Sequence, residues 1–88
     1  MSTIYKNLFK QYVDTGNIDA EENLNAITFI NFGTGTVTLN DTVPIAAGAT
    51  FIVGGNAGEI DKTNYNVSFA AGAVTNSLVV ISKIIISE

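Results

Sequence analysis

No cysteine, histidine, arginine or tryptophan occurs in this chain of 88 residues, and there is only one proline. Each gap closes off some chemistry. Without cysteine there is no disulfide to brace a small domain and no thiolate for a zinc or iron–sulfur site. Without histidine the commonest transition-metal ligand and the commonest general base are missing. Without arginine there is no forked guanidinium to grip phosphate or guanine, and Lys6, Lys10, Lys62 and Lys83 form no basic cluster in sequence. Nucleic acid is therefore not an expected partner. Charged residues make up 14% of the chain and the net charge is −4. That is sparse beside the roughly 25–35% usual for a free-standing soluble surface. With a mean hydropathy of +0.33, part of the surface is expected to be given over to protein contacts.

A single domain of this length buries only about 60–65% of the surface its unfolded chain exposes, so it needs reinforcement. Disulfides and thiolate metals being excluded, self-association remains. The first ten residues lack a basic stretch followed by an apolar core, so no secretory leader is expected and synthesis in a cytoplasm is. No apolar run approaches the roughly 18 residues of a membrane span.

Residues 2–16 carry Ile4, Tyr5, Leu8, Phe9, Tyr12 and Val13 at three- and four-residue spacing, which predicts a short helix. Ser2 is placed to cap its start and Gly16 to take a left-handed position after its end. An extended N-terminal arm is the alternative. Residues 15–25, holding Asp19, Glu21 and Glu22, read as an acidic linker, so residues 1–25 are set apart from a β domain at 26–88.

From Ala26 onward Val, Ile, Thr and Phe alternate between clusters of Gly, Asn and Asp. Strands are expected at 26–32, 36–40, 43–45, 50–53 and 65–70, with a long final strand after Ser77. Asn40–Asp41 reads as a tight hairpin turn, and Pro44 assigns its strand to a sheet edge. The expected fold is mainly β: a small antiparallel sandwich or barrel with a short N-terminal helix or arm.

The final strand, SLVVISKIIISE, is apolar on both faces: Leu78, Val80, Ile84 and Ile86 fall on one parity, Val79, Ile81 and Ile85 on the other. A strand with one wet face alternates. The second face is expected to be covered by the N-terminal helix or by a neighbouring subunit, with part of residues 81–86 at the contact.

Three motifs fail on inspection. The glycine clusters at 33–35 and 54–59 precede strand signals and lack the Lys and helix of a phosphate loop. The run DTGNIDAEEN, residues 14–23, puts Gly16 at a ligand position and Asp19 where a calcium loop needs glycine. Glu59 and Asp61 are neighbouring acids with no accompanying base, nucleophile or clamp. No metal, no cofactor and no enzymatic activity are expected.

The stretch NFGTGTVTLNDTVPIAAGATFIVGGNAGEIDKTNYNVSF, residues 31–69, resembles short β-modules of bacteriophage virion proteins: Asn-x-Gly-Thr, then Val-x-Leu-Asn, a turn, Pro-Ile, a glycine turn and Thr-Phe. Its second half is similar to segments of small structural proteins from phages of Bacteroidetes. The resemblance implies a capsid decoration, spike or head-fibre protein, located in the virion, homo-oligomeric and bound to other capsid proteins. The residues expected at the assembly interface are Tyr5, Leu8, Phe9 and Tyr12, with Ile81, Ile84, Ile85 and Ile86 of the last strand. A glycan- or receptor-binding module is the alternative, using the loop at 54–64 with Asn56, Glu59, Asp61 and Tyr65 as contacts.

Overall fold

The computed structural model describes residues 3–87, and among them it contains eight strands and no helix. The strands are β1 (Ile4–Tyr12), β2 (Gly16–Asn17), β3 (Leu24–Asn31), β4 (Val37–Leu39), β5 (Val43–Ile45), β6 (Thr50–Val53), β7 (Asn66–Phe69) and β8 (Leu78–Ser87). They form two antiparallel four-stranded sheets, ordered β1-β8-β3-β6 and β2-β7-β4-β5. The pairings follow a simple rule. β1 lies beside β8, β2 beside β7, β3 beside β6 and β4 beside β5, as in one long hairpin doubled at the β4–β5 turn. Rolling that hairpin brings β3 against β8 and β4 against β7. This is the winding of a double-sheet jelly roll.

Alternation fixes which side chains meet between the sheets. Leu24, Ile27 and Phe29 of β3 and Leu78 and Val80 of β8 face Val37, Leu39, Ile45 and Val67 of the other sheet, with Ile18 and Tyr65 completing one buried cluster. Phe29 is fully buried at its centre, its ring 6.5 Å from that of Phe51 and 5.3 Å, edge-on, from that of Tyr65. The β4–β5 hairpin turns as the sequence predicts. Asn40 and Asp41 both have positive φ (49° and 56°), and the Thr42 N–H donates to the Leu39 carbonyl at 3.0 Å. Pro44 sits on an edge strand, where its missing N–H costs no ladder bond.

Asn31 joins the two sheets. Its side chain is wholly buried, and its amide donates to the carbonyls of Gly35 and Ile45 at 2.8 and 2.9 Å. Its side-chain oxygen accepts the Gly33 N–H at 2.9 Å. Gly33 is required there: a Cβ would lie 2.6 Å from the Thr75 carbonyl oxygen.

One expectation is corrected. The N-terminal segment is strand β1, not a helix, and Gly16 begins β2 rather than a left-handed cap; the Ser2 cap lies outside the described residues. Spacing of four explains the misreading. Ile4, Leu8 and Tyr12, or Tyr5 and Phe9, share a face on a strand as readily as on a helix, because four is an even step. The aromatic and β-branched residues, with a full ladder available along β8, decide for strand. Within the segment expected as an acidic linker, Ile18 is buried in the core and β3 already begins at Leu24. No helix among the described residues is long and apolar enough to cross a membrane.

Replacing Asn31 with Ala leaves the Gly33 N–H and two carbonyls without their partner. Each buried group so orphaned costs about 1–3 kcal/mol. The urea midpoint of Asn31→Ala is expected to fall by an amount equivalent to roughly 3 kcal/mol; an unchanged midpoint would show that the amide does not hold the sheets.

Candidate assembly surface

With Ile27, Phe29 and Val80 turned into the core, the alternate residues of the β1-β8-β3-β6 sheet face outward. Register sets them in rows across the strands. Phe9 lies opposite Ile81, Ile81 opposite Thr28, and Thr28 opposite Ile52. The adjacent row runs Gln11, Val79, Ile30, Thr50. Phe32, held by its N–H to the Ser77 carbonyl at 2.9 Å, extends the same face. Phe9, Ile52 and Phe32 are 69%, 65% and 63% exposed, while Ile30, Val79 and Ile81 are half-buried. No charged side chain interrupts either row. The polar Gln11 donates its amide to the Ser77 hydroxyl at 2.8 Å, and with Phe9, Phe32, Val79 and, at the margin, Lys10 it lines a shallow depression.

The other end of this face is closed by the chain itself. There Asn7, Lys83 and Ala26 form a row, and Tyr5 lies opposite Ile85. The Lys83 ammonium sits 4.4 Å from the centre of the Tyr5 ring, a cation–π contact. The Gly58 N–H donates to the Tyr5 hydroxyl at 3.0 Å, bringing the glycine-rich loop across this end. Asn25, the extra residue of a bulge between Leu24 and Ala26, clamps the loop by donating to the Asn56 and Glu59 carbonyls, both at 2.8 Å. Gly55 packs so closely on the Asn25 carbonyl that no Cβ fits. Ile85, opposite Tyr5, is buried at this end, outside the cluster between the sheets.

The expected interface residues therefore divide. Phe9 and Ile81 lie on the open half of the outer face, Tyr5 and Ile85 on the closed half. Leu8, Tyr12 and Ile84 face inward, opposite Ser82, Leu78 and Lys6 respectively; Tyr12 and Ile84 pack on the core. Ile86 is 54% exposed where β1 and β8 slip register. The expected interface residues did not include Ile30, Phe32 or Ile52, nor Val79, which the sequence had placed on the second apolar face of β8. For Ile30 and Ile52 the signal was their place on the outward parity of β3 and β6, which is legible only once the neighbouring strands are known.

Beneath β1 the acidic segment is engaged rather than simply solvated. The Lys10 ammonium lies 3.2 Å from an Asp19 carboxylate oxygen and 3.1 Å from one of Glu21, and both contacts raise its pKa, Glu21 the more. Asp19 also offers its N–H to the Tyr12 hydroxyl at 3.1 Å.

The loop proposed for ligand contact spends its polar groups on itself. Glu59 accepts the Asn56 N–H at 2.9 Å. Asp61 accepts the Thr63 N–H and the Tyr65 hydroxyl, each at 2.8 Å. Burial alone would raise the Asp61 carboxyl, but the hydrogen bonds from Thr63 and Tyr65 outweigh it and hold it below the ordinary value. Burial, then the hydrogen bond and charge of Asp61, pushes the Tyr65 phenol up to about 12. Among the described residues no three acidic side chains converge as a metal site would require.

The sign of the pH response follows. Asp61, depressed in the folded chain, stabilises it above the ordinary carboxylate range and loses that effect as pH falls through its lowered value. Tyr65, raised, stabilises the fold below pH 10 and loses that effect as pH rises towards about 12. A thermal-melting series is expected to show midpoints falling across that alkaline window. In Asp61→Ala, ultraviolet titration should show the Tyr65 phenol ionising at lower pH; an unmoved titration would deny the pairing.

Compared with protein-family models, curated proteins and solved structures, the chain matches none.

Proposed function

We propose that this chain is a non-enzymatic structural component of a bacteriophage virion, a decoration, spike or fibre-type protein that self-associates and docks on other capsid proteins. The observation that carries the reading is the open half of the outer face, where Phe9, Ile81, Ile52, Ile30 and Val79 fall in two cross-strand rows that no charged side chain interrupts, with Phe32 extending them. Apolar patches of a few hundred Å² on a monomer commonly mark contact sites. Two further points support it. The stretch at 31–69 resembles phage virion modules, and the jelly-roll winding is one that viral capsid domains use. The same winding serves lectins and cupins, so the fold is support by analogy alone. A glycan site at the loop has no comparable support, since Asn56, Glu59, Asp61 and Tyr65 bond mainly within their own segment.

Ile52 and Phe32 point away from the core, so Ile52→Lys and Phe32→Lys are expected to fold with melting points close to the parent. In an infected host, the parent chain is expected in purified particles at a fixed ratio to the major capsid protein, detected by mass spectrometry. The paired substitution should reduce that occupancy at least about tenfold, equivalent to about 1.4 kcal/mol of lost contact. Particles that never contain the chain would sink the reading. Full occupancy by the variant would move the docking surface elsewhere.

A further inference from the structure

β1 is the one long edge among the described strands. Of the other edges, β6 has four residues, β5 three including Pro44, and β2 two, against nine in β1. One side of β1 pairs with β8 along its whole length. On the other side no strand or loop of the described chain hydrogen-bonds to its main chain. A row of unpaired N–H and C=O groups is a template for another strand.

We propose that two copies pair β1 with β1, antiparallel, about a two-fold axis at Phe9, joining their sheets into one continuous sheet. The inference rests on the self-association proposed above and gives it a geometry. A two-fold axis perpendicular to the sheet sets each residue opposite one of the same parity, so the outer faces merge. Three registers give substantial overlap. Centring on Leu8 opposes Lys6 to the partner's Lys10 twice, and like charges directly opposite destabilise a sheet. Centring on Asn7 opposes Phe9 to Tyr5, whose ring and hydroxyl are already taken by Lys83 and Gly58. Centring on Phe9 opposes Asn7 to Gln11, Leu8 to Lys10 and Lys6 to Tyr12, with no like-charged pair.

That third register also completes the outer face. Phe9, the most exposed residue of the apolar rows at 69%, meets its own copy. The row Ile52, Thr28, Ile81, Phe9 then continues across the axis through the partner's Phe9 to the partner's Ile52. Inward-pointing lysines are a common guard on sheet edges. Here Lys10 is already paired with Asp19 and Glu21, so the lysines discriminate between registers more than they block pairing.

Because the chain has no cysteine, an introduced one reports only on its own position. Asn7→Cys and Gln11→Cys leave Phe9 intact. Under mild oxidation, mixing the two is expected to give a disulfide heterodimer at least about tenfold faster than either alone, as an intramolecular-like contact requires. Phe9→Cys should cross-link with itself faster than Leu8→Cys does. Sedimentation of the parent chain should show a concentration-dependent dimer. A dimer that cross-links instead through Ile52→Cys, or through Leu8→Cys, overturns the edge geometry while self-association stands. A monomer at every concentration overturns both, leaving docking on the particle to be judged by occupancy.

Discussion

The structure depends on β8 being paired on both sides. It runs between β1 and β3, so from Leu78 to Ile84 its main-chain groups are spent in two antiparallel ladders. Leu78 and Val80 then enter the core at no cost in unpaired polar groups. The same ladders tie the chain's first and last strands together. In a domain too small for a large core and without disulfides, such long-range pairing supplies the constraint that cross-links supply elsewhere.

The pleat of β8 then creates the surface problem. Strand geometry sends Val79, Ile81 and Ile85 to the side away from the core whatever their chemistry. One third of that problem is solved within the chain. The bulge at Asn25 interrupts the β3–β8 register, and the amide of that residue pins the glycine-rich loop by two carbonyls. Tyr5 meets the loop at Gly58, and Ile85 is covered. A bulge beside a working surface is a common device for ending regular pairing where something else must fit. Val79 and Ile81 receive no such cover.

Much of the fold was legible in the sequence because its strands are short and well punctuated. Asn40–Asp41, Pro44 and the glycine turns fixed the strands from residue 26 onward. β1 was illegible for a physical reason: an apolar residue every fourth position satisfies both helix and strand, and the ladder that decides between them lies more than sixty residues away in sequence. The open face was half-legible. The two apolar parities of β8 announced that something lay beyond the core, but Ile30 and Ile52 join Ile81 only through register, which no local pattern encodes. Asn31 and Asn25 were hidden too, since a buried amide looks like a turn residue until its acceptors are known.

Folding of one copy makes little use of the apolar residues on the open face. Phe9, Ile52 and Phe32 keep more than half their surface in water, so they contribute little of the roughly 1.5–3 kcal/mol that burying such a side chain provides. Charged residues there would leave the core untouched and raise a charged fraction that is only 14%. Thr28, Thr50 and Gln11, on the same face, show that polar side chains are accommodated. What sets the apolar residues apart is their arrangement: Phe9 at one edge and Ile52 at the other, linked through Ile81 and Thr28 in a single row. A stripe that crosses the whole sheet and ends on an unpaired strand is the feature on which the proposed pairing of two copies rests.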